Sequence, residues 1–183
     1  CMKRIVAAPT AGACGVLPAV LVNYQKEKGT ADEQIVRALY TAAGIGQVVA
    51  ARAYIAGASG GCQAEIGTAS AMAAGALTAL GGGTPSQITH AAAMALKNLL
   101  GLVCDPVGGL VEYPCQNRNA AGVANALVAA EMALAGITQL IPLDEMINVM
   151  YTVGKKLPAE LRETALGGCA TAPSACKSCH MCS

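Results

Sequence analysis

From Ile66 to Leu96 the chain carries no Lys, Arg, Asp or Glu, and Gly81-Gly82-Gly83-Thr84-Pro85 cuts this uncharged stretch in two. Each piece is Ala-rich and falls short of the ~20 apolar residues that span a bilayer. Such segments belong inside a protein, covered on most sides by other helices. The material available to fill that interior is small. The sequence has five Tyr and no Phe or Trp, so Ala, Val, Leu, Met and Gly must form the core and backbones must approach closely. The mean hydropathy of +0.48 expresses the same pattern in bulk.

Helix signals recur along the chain. Thr30-Ala31-Asp32-Glu33 reads as a capping box ahead of "QIVRALYTAAGIGQVVAARAYIAG", with Gly57 as its stop. Thr84-Pro85-Ser86-Gln87 is a second start, with Pro at the first helical position of "ITHAAAMALKNLLGLV". "AEIGTASAMAAGALTALGGG" lies between them. "AAGVANALVAAEMALAG" follows Asn119, Pro142 opens "EMINVMYTVGKKL", and a short "AELRETALGG" comes after Pro158. No window alternates apolar and polar residues over a strand's length. The fold class expected is all-α: a compact bundle of about six or seven largely buried helices with cysteine-bearing loops. One domain over residues 1–168 and a Cys-rich tail over 169–183 account for the length. "CMKRIVAAPTAGACGVLPAVLV" imitates a signal peptide, but Pro9, Gly12, Gly15 and Pro18 interrupt its apolar run. A net charge of +1 with 13% charged residues leaves no basic footprint for nucleic acid.

Nine cysteines, an odd number without regular spacing, do not read as a secreted disulfide scaffold. A reducing cytoplasm suits them better, where cysteines this numerous point to metal or catalysis. Cys62, in "ASGGCQAEIGTASA", stands where a Gly-rich loop enters a helix, and a helix N-terminus favours thiolate. Cys104 precedes Asp105-Pro106 and Cys115 follows Pro114. On spacing alone these three thiols fit a metal site or three buried structural cysteines. Cys176-x-x-Cys179-x-x-Cys182 starts like a ferredoxin run but lacks its fourth cysteine, and with His180 it equally fits a zinc-scavenging tail.

The words around the cysteines are more specific. "APTAGACGVLP", "SGGCQAEIGTASAMAAG", "ALKNLLGLVCDPVGGLVEYPCQNRNAAGVANALVAAEMALAGI" and "LRETALGG" resemble the iron–sulfur-dependent L-serine dehydratases, in their α chain or catalytic domain. The resemblance implies an all-helical domain that holds a [4Fe–4S] cluster through Cys62, Cys104 and Cys115, with no pyridoxal phosphate. It implies L-serine as substrate, a partner β chain or fused β domain, an oligomer, and a further N-terminal segment of about a hundred residues, less than one domain. It also makes Cys182 a candidate for a fourth ligand from the tail.

Three thiolates leave one iron open to act as a Lewis acid on the β-hydroxyl of serine. The base that takes the α-proton is not legible. Glu65, three residues past Cys62, is one candidate, although a carboxylate in a first turn also serves the helix dipole. Lys97 is the other, and reads equally as a helix-face cation. Thr10, Asn98, Arg118 and Asn119 are candidates for holding substrate; Arg118 could do so by bidentate bonds, while Thr10 and Asn119 also read as helix caps. His90 is assigned to structure. A cysteine desulfidase with the same cluster and a non-catalytic electron-transfer or sensing module are the competing readings. A pyridoxal-phosphate enzyme is disfavoured because no strand precedes Gly81–Gly83.

Overall fold

The computed structural model describes residues 4–178. Among them are eight α-helices: α1 (Leu17–Lys28), α2 (Asp32–Arg52), α3 (Gly57–Gly60), α4 (Thr68–Leu80), α5 (Pro85–Asn98), α6 (Cys115–Leu134), α7 (Leu143–Lys156) and α8 (Pro173–Ser178). Helices α3 and α8 are short, which leaves six substantial helices and the all-α bundle expected. No strand forms among the described residues; one isolated parallel bridge joins Cys104 to Arg162. No helix of the described residues is long and apolar enough to cross a membrane.

Helix α4 is the axis. Every residue from Thr68 to Thr78 is buried, and α1, α2, α5 and α6 pack around it. An uncharged helix of small residues can be covered on all sides because neighbouring backbones come close. At Gly75 a Cβ would overlap Ile45 Cδ1 of α2, and at Gly122 of α6 it would lie 2.9 Å from Ile66 Cγ2. The few polar groups in this core are paired, Thr68 Oγ1 excepted. Ser70 donates to Gly122 O (2.9 Å) and accepts from Asn125 Nδ2 (2.8 Å), and Thr78 donates to Ala74 O (2.8 Å).

The Thr84 cap forms as its sequence indicates, with Gln87 N–H donating to Thr84 Oγ1 (3.3 Å) and Thr84 N–H to Gln87 Oε1 (2.9 Å). Four other boundaries move. The cap of α2 is Ala31, not Thr30, because Gly29 (φ 63°) turns the chain left-handed and the N–H of Thr30 closes α1 onto Gln25 O. Helix α2 stops at Arg52 on an extended Ala53, and Gly57 opens α3 instead of ending α2. Helix α6 begins at Cys115, so Asn119 sits one turn inside it and is not a cap. "AELRETALGG" forms only a 3-10 turn over Ala159–Leu161, since left-handed backbone at Glu163 (φ 65°), Ala165 (φ 57°) and Gly168 (φ 61°) cannot continue a helix. The 3-10 turn Gly168–Thr171 straddles the boundary expected at the tail, and Cys179, His180 and Cys182 lie outside the described residues.

The close α2–α4 crossing makes a paired prediction. Gly75→Val should lower unfolding free energy by about 1–3 kcal/mol through overpacking against Ile45. Gly44→Ala, on the exposed face of α2 with open space around it, should raise it by roughly 0.5–1 kcal/mol. Urea unfolding of both variants gives the two signs.

Candidate metal centre

The chain reaches the centre from the N-terminal end of α4. Cys62 caps a single π turn, Gln63–Gly67, that runs into that helix. Such turns interrupt regular helices and recur at functional sites. Gln63 fixes it from inside the core: its Nε2 donates to Met150 O (3.0 Å), its Oε1 accepts from Gly101 N–H (2.9 Å), and its own N–H donates to Leu102 O (2.9 Å). The loop that ends at Cys104 is thereby tied to the turn that carries Cys62. Cys104 is pinned on its far side too, its N–H donating to Leu161 O (2.9 Å) and its carbonyl accepting from Glu163 N–H (2.7 Å).

The Cys62 and Cys104 sulfurs and a Glu65 carboxylate oxygen all lie within 4.8 Å of one another, so the group can hold a metal ion. Cys115, the first residue of α6, is buried beside them but outside that tight trio. Backbone closes around the carboxylate. A Cβ on Gly12 would lie 3.0 Å from Glu65 Oε1, and one on Gly57 would lie 2.7 Å from Cys104 Sγ and 3.0 Å from Glu65 Oε2. Thr10 Oγ1 donates to Glu65 Oε1 at 2.7 Å.

Charge is scarce here and strongly coupled. The Cys62 thiol is drawn below its ordinary value, first by the hydrogen bond from Cys104 and then, against burial, by Arg118. Cys104 is correspondingly pushed up by giving that bond and by burial. Burial raises Cys115, and burial with the charge of Glu163 raises Glu65 against the Thr10 bond. Arg118 supplies the compensating cation: its Nη1 lies 2.6 Å from Asp105 Oδ1, 2.9 Å from Val103 O and 3.9 Å from Cys62 Sγ. Asp105, 2% exposed, also accepts from the N–H of Cys169 at 2.6 Å. Burial pushes the Asp105 carboxyl up, but these donors win and hold it below the usual carboxylate range.

Of the residues singled out in the sequence, Thr10, Glu65, Arg118 and Asn119 are gathered with the three cysteines. Asn119 stitches α6 to the N-terminal loop, its Nδ2 donating to Gly12 O (2.8 Å) and Cys115 O (2.8 Å) while its Oδ1 accepts from Gly15 N–H (2.9 Å). Lys97 and Asn98 are exposed at the end of α5, hydrogen-bonded to Gln139 (2.7 Å) and Asn125 (2.8 Å) rather than to any site residue. His90 accepts from Gln139 N–H (3.2 Å), a structural contact as assigned. Gln63, Asp105 and Glu163 escaped the sequence reading. Only Asp105 left a trace, as a charge in an apolar segment with an arginine thirteen residues on. A cavity of about 540 Å³, lined by Gly12, Cys14, Cys115, Gln116, Asn119 and Val123 among others, opens beside the centre.

Asp105 is the only hydrogen-bonded carboxylate partner of Arg118 among the described residues, and breaking a buried pair from one side costs about 3–5 kcal/mol. Asp105→Asn should lose stability on that scale in chemical unfolding, whereas Lys97→Ala should stay within about 0.5 kcal/mol of the parent. Equal losses in the two variants would remove Asp105 from this role.

A sequence model of the family described as serine dehydratase alpha chain matches residues 1–170. The chain is 54% identical over 173 residues to the probable L-serine dehydratase alpha chain of Bacillus subtilis (strain 168), covering 94% of this chain and 58% of that one. It is 52% identical over 169 residues to the L-serine dehydratase alpha chain of Peptoniphilus asaccharolyticus, covering 92% and 58%. It is 46% identical over 169 residues to the L-serine dehydratase TdcG of Escherichia coli (strain K12), covering 91% and 37%. The chain thus spans little more than half of the first two relatives and about a third of the last. With its cysteine-bearing loops and their surroundings inside the matched region, the chain belongs to the serine dehydratase alpha chain family.

Proposed function

We propose that this chain carries the catalytic centre of an L-serine ammonia-lyase that converts L-serine to pyruvate and ammonia, with Cys62, Cys104 and Cys115 holding a [4Fe–4S] cluster. The observation that carries the reading is the convergence of two buried, unbridged thiols, Cys62 and Cys104, on the Glu65 carboxylate, with a third buried thiol, Cys115, and an open cavity beside them. Soft thiolates suit iron–sulfur chemistry. The position of Cys115 outside the tight trio suits a multi-iron group better than a single ion. When bound, the cluster supplies an open iron that acts as a Lewis acid toward the substrate's β-hydroxyl.

The chain's own groups do the rest. Glu65 takes the α-proton: Thr10 fixes its Oε1, Gly12 and Gly57 exclude bulk from both oxygens, and burial lifts its pKa toward the range useful to a base. The α-carbon loses its proton to Glu65 as the β C–O bond breaks, and hydroxide leaves with that proton as water. The resulting aminoacrylate tautomerises and hydrolyses to pyruvate and ammonia. Arg118 offsets the negative charge of the thiolates, while Asn119 holds the N-terminal loop over the site. A partner β chain or domain grips the substrate carboxylate, Cys182 fills the open position at rest, and the enzyme works as an oligomer in a reducing cytoplasm; these belong to the same proposal.

The test is anaerobic reconstitution with the partner chain. Cys62→Ala, Cys104→Ala and Cys115→Ala should each abolish the broad cluster absorption, whereas Cys14→Ala and Cys169→Ala should keep it. Glu65→Gln should keep the cluster and lower kcat by about 10²–10⁴-fold. Retention of cluster and turnover after loss of one of the three ligands would refute the assignment. Sulfide release from L-cysteine without pyruvate from L-serine would move the chain to the desulfidase reading.

A further inference from the structure

An amino-acid substrate brings a cation to the site, and the site already commits most of its anions. Asp105 is occupied by Arg118 and the N–H of Cys169, and Glu65 is bonded to Thr10. Glu163 is different. Its backbone is pinned to Cys104, donating its N–H to the cysteine carbonyl at 2.7 Å beside the Cys104–Arg162 bridge. Its side chain is exposed, and its carboxylate makes no hydrogen bond or ion pair among the described residues. Its main chain lies against Cys104, and its charge is felt at both Glu65 and Cys104. Arg162, one residue earlier, exerts its charge on Tyr54 instead.

The backbone adds a second argument. Glu163 has φ 65°, a region that long side chains rarely occupy and that Gly or Asn fills with little strain. Ala165 shares this backbone at φ 57°, so the turn imposes the conformation. The chain uses Gly at Gly168 in the same strap but keeps a charged side chain at 163, where the carboxylate has no hydrogen bond or ion pair among the described residues. Strain kept beside a site, at a side chain that holds no hydrogen bond or ion pair there, points to a role in function.

We propose that Glu163 holds the α-ammonium group of the amino-acid substrate, pairing with it beside Cys104. This rests on the lyase reading above. A free, solvent-facing carboxylate tied by its main chain to a metal ligand is well placed for that pairing, because the ammonium then sits next to the α-carbon that Glu65 must reach. The bound ammonium also offsets the charge that Glu163 imposes on Glu65.

The experiment uses the reconstituted enzyme with its partner chain and compares L-serine with 3-hydroxypropanoate, which keeps the hydroxyl and carboxylate but lacks the ammonium. Glu163→Gln should raise KM for L-serine by about 10- to 100-fold, the weight of a charge-assisted bond, with kcat within about twofold. The inhibition constant of 3-hydroxypropanoate and the cluster absorption should not move. Glu163→Gly should raise KM equally while raising Tm, because it relaxes the left-handed backbone; this separates lost charge from lost fold. An unchanged KM in Glu163→Gln, or equal weakening of both ligands, would overturn the role of Glu163. Failure of the parent enzyme to bind or turn over L-serine would instead bring down the lyase reading, and this inference with it.

Discussion

The rest of the structure depends on a helix with almost nothing on it. Helix α4 offers its neighbours mainly Ala, Gly and hydroxyl groups, and is buried from Thr68 to Thr78. Such a surface gains little from any single large side chain. Its stabilisation comes from the apolar area it removes from water and from the many short-range contacts that close packing allows. Closeness requires backbone without Cβ at the crossings, hence Gly75 against Ile45 and Gly122 against Ile66 and Val16. It also requires that every polar atom brought inside find a partner, which Ser70, Thr78 and Asn125 satisfy through main-chain carbonyls or one another. Thr68 Oγ1 is the exception in this helix.

A rigid helix of this kind sets the position of whatever enters its N-terminal end. The π turn at Gln63–Gly67 delivers Cys62 and Glu65 there, and the amide of Gln63 spans from Met150 on α7 to the Gly101 amide. Electrostatics explains why so few charges surround the result. Burial in a poorly solvated pocket favours the protonated forms of Cys115 and Glu65, and Cys104 is held protonated first by the hydrogen bond it gives Cys62 and then by burial. Only Cys62 moves the other way, drawn down first by the hydrogen bond from Cys104 and then by the guanidinium of Arg118, itself anchored on Asp105. In the proposed state a cationic cluster core provides what the protein alone does not, which is positive charge enough for three thiolates at once.

Much of this was legible in the sequence, and the division between what was and was not has a physical basis. Helix class, the Thr84 cap and the uncharged core segment rest on local rules that read directly from composition and spacing. The words around Cys62, Cys104 and Cys115 carried the family resemblance, and Glu65 followed from its offset to Cys62. Pairings between distant segments were not legible. Nothing local says that Arg118 would be used by Asp105, that Asn119 would reach Gly12 and Gly15 at the opposite end of the chain, or that Lys97 would turn to Gln139. Nor does "LRETALGG" announce a left-handed turn, since Glu163 and Ala165 are residues that favour helices. Helix-forming propensity lost there to the bridge with Cys104.

That bridge divides the centre into two walls of different character. One wall is the core itself, with Cys62 and Glu65 carried on the turn into α4 and locked by Gln63. The other is the strap from Leu161 to Cys169, which holds the site by three main-chain contacts, two at Cys104 and one at Asp105, and buries little apolar surface of its own. Segments with few buried contacts open at lower free energy than the core that supports them. Metal ligands need fixed geometry, and the three cysteines proposed for that role lie on segments tied to the core. The strap carries the Glu163 carboxylate, and compliance there suits the ammonium-binding role proposed for it. Gly168 sets how near the strap lies to the core: a Cβ there would overlap the Asp105 carboxylate, so the strap packs onto Asp105 only because position 168 has no side chain.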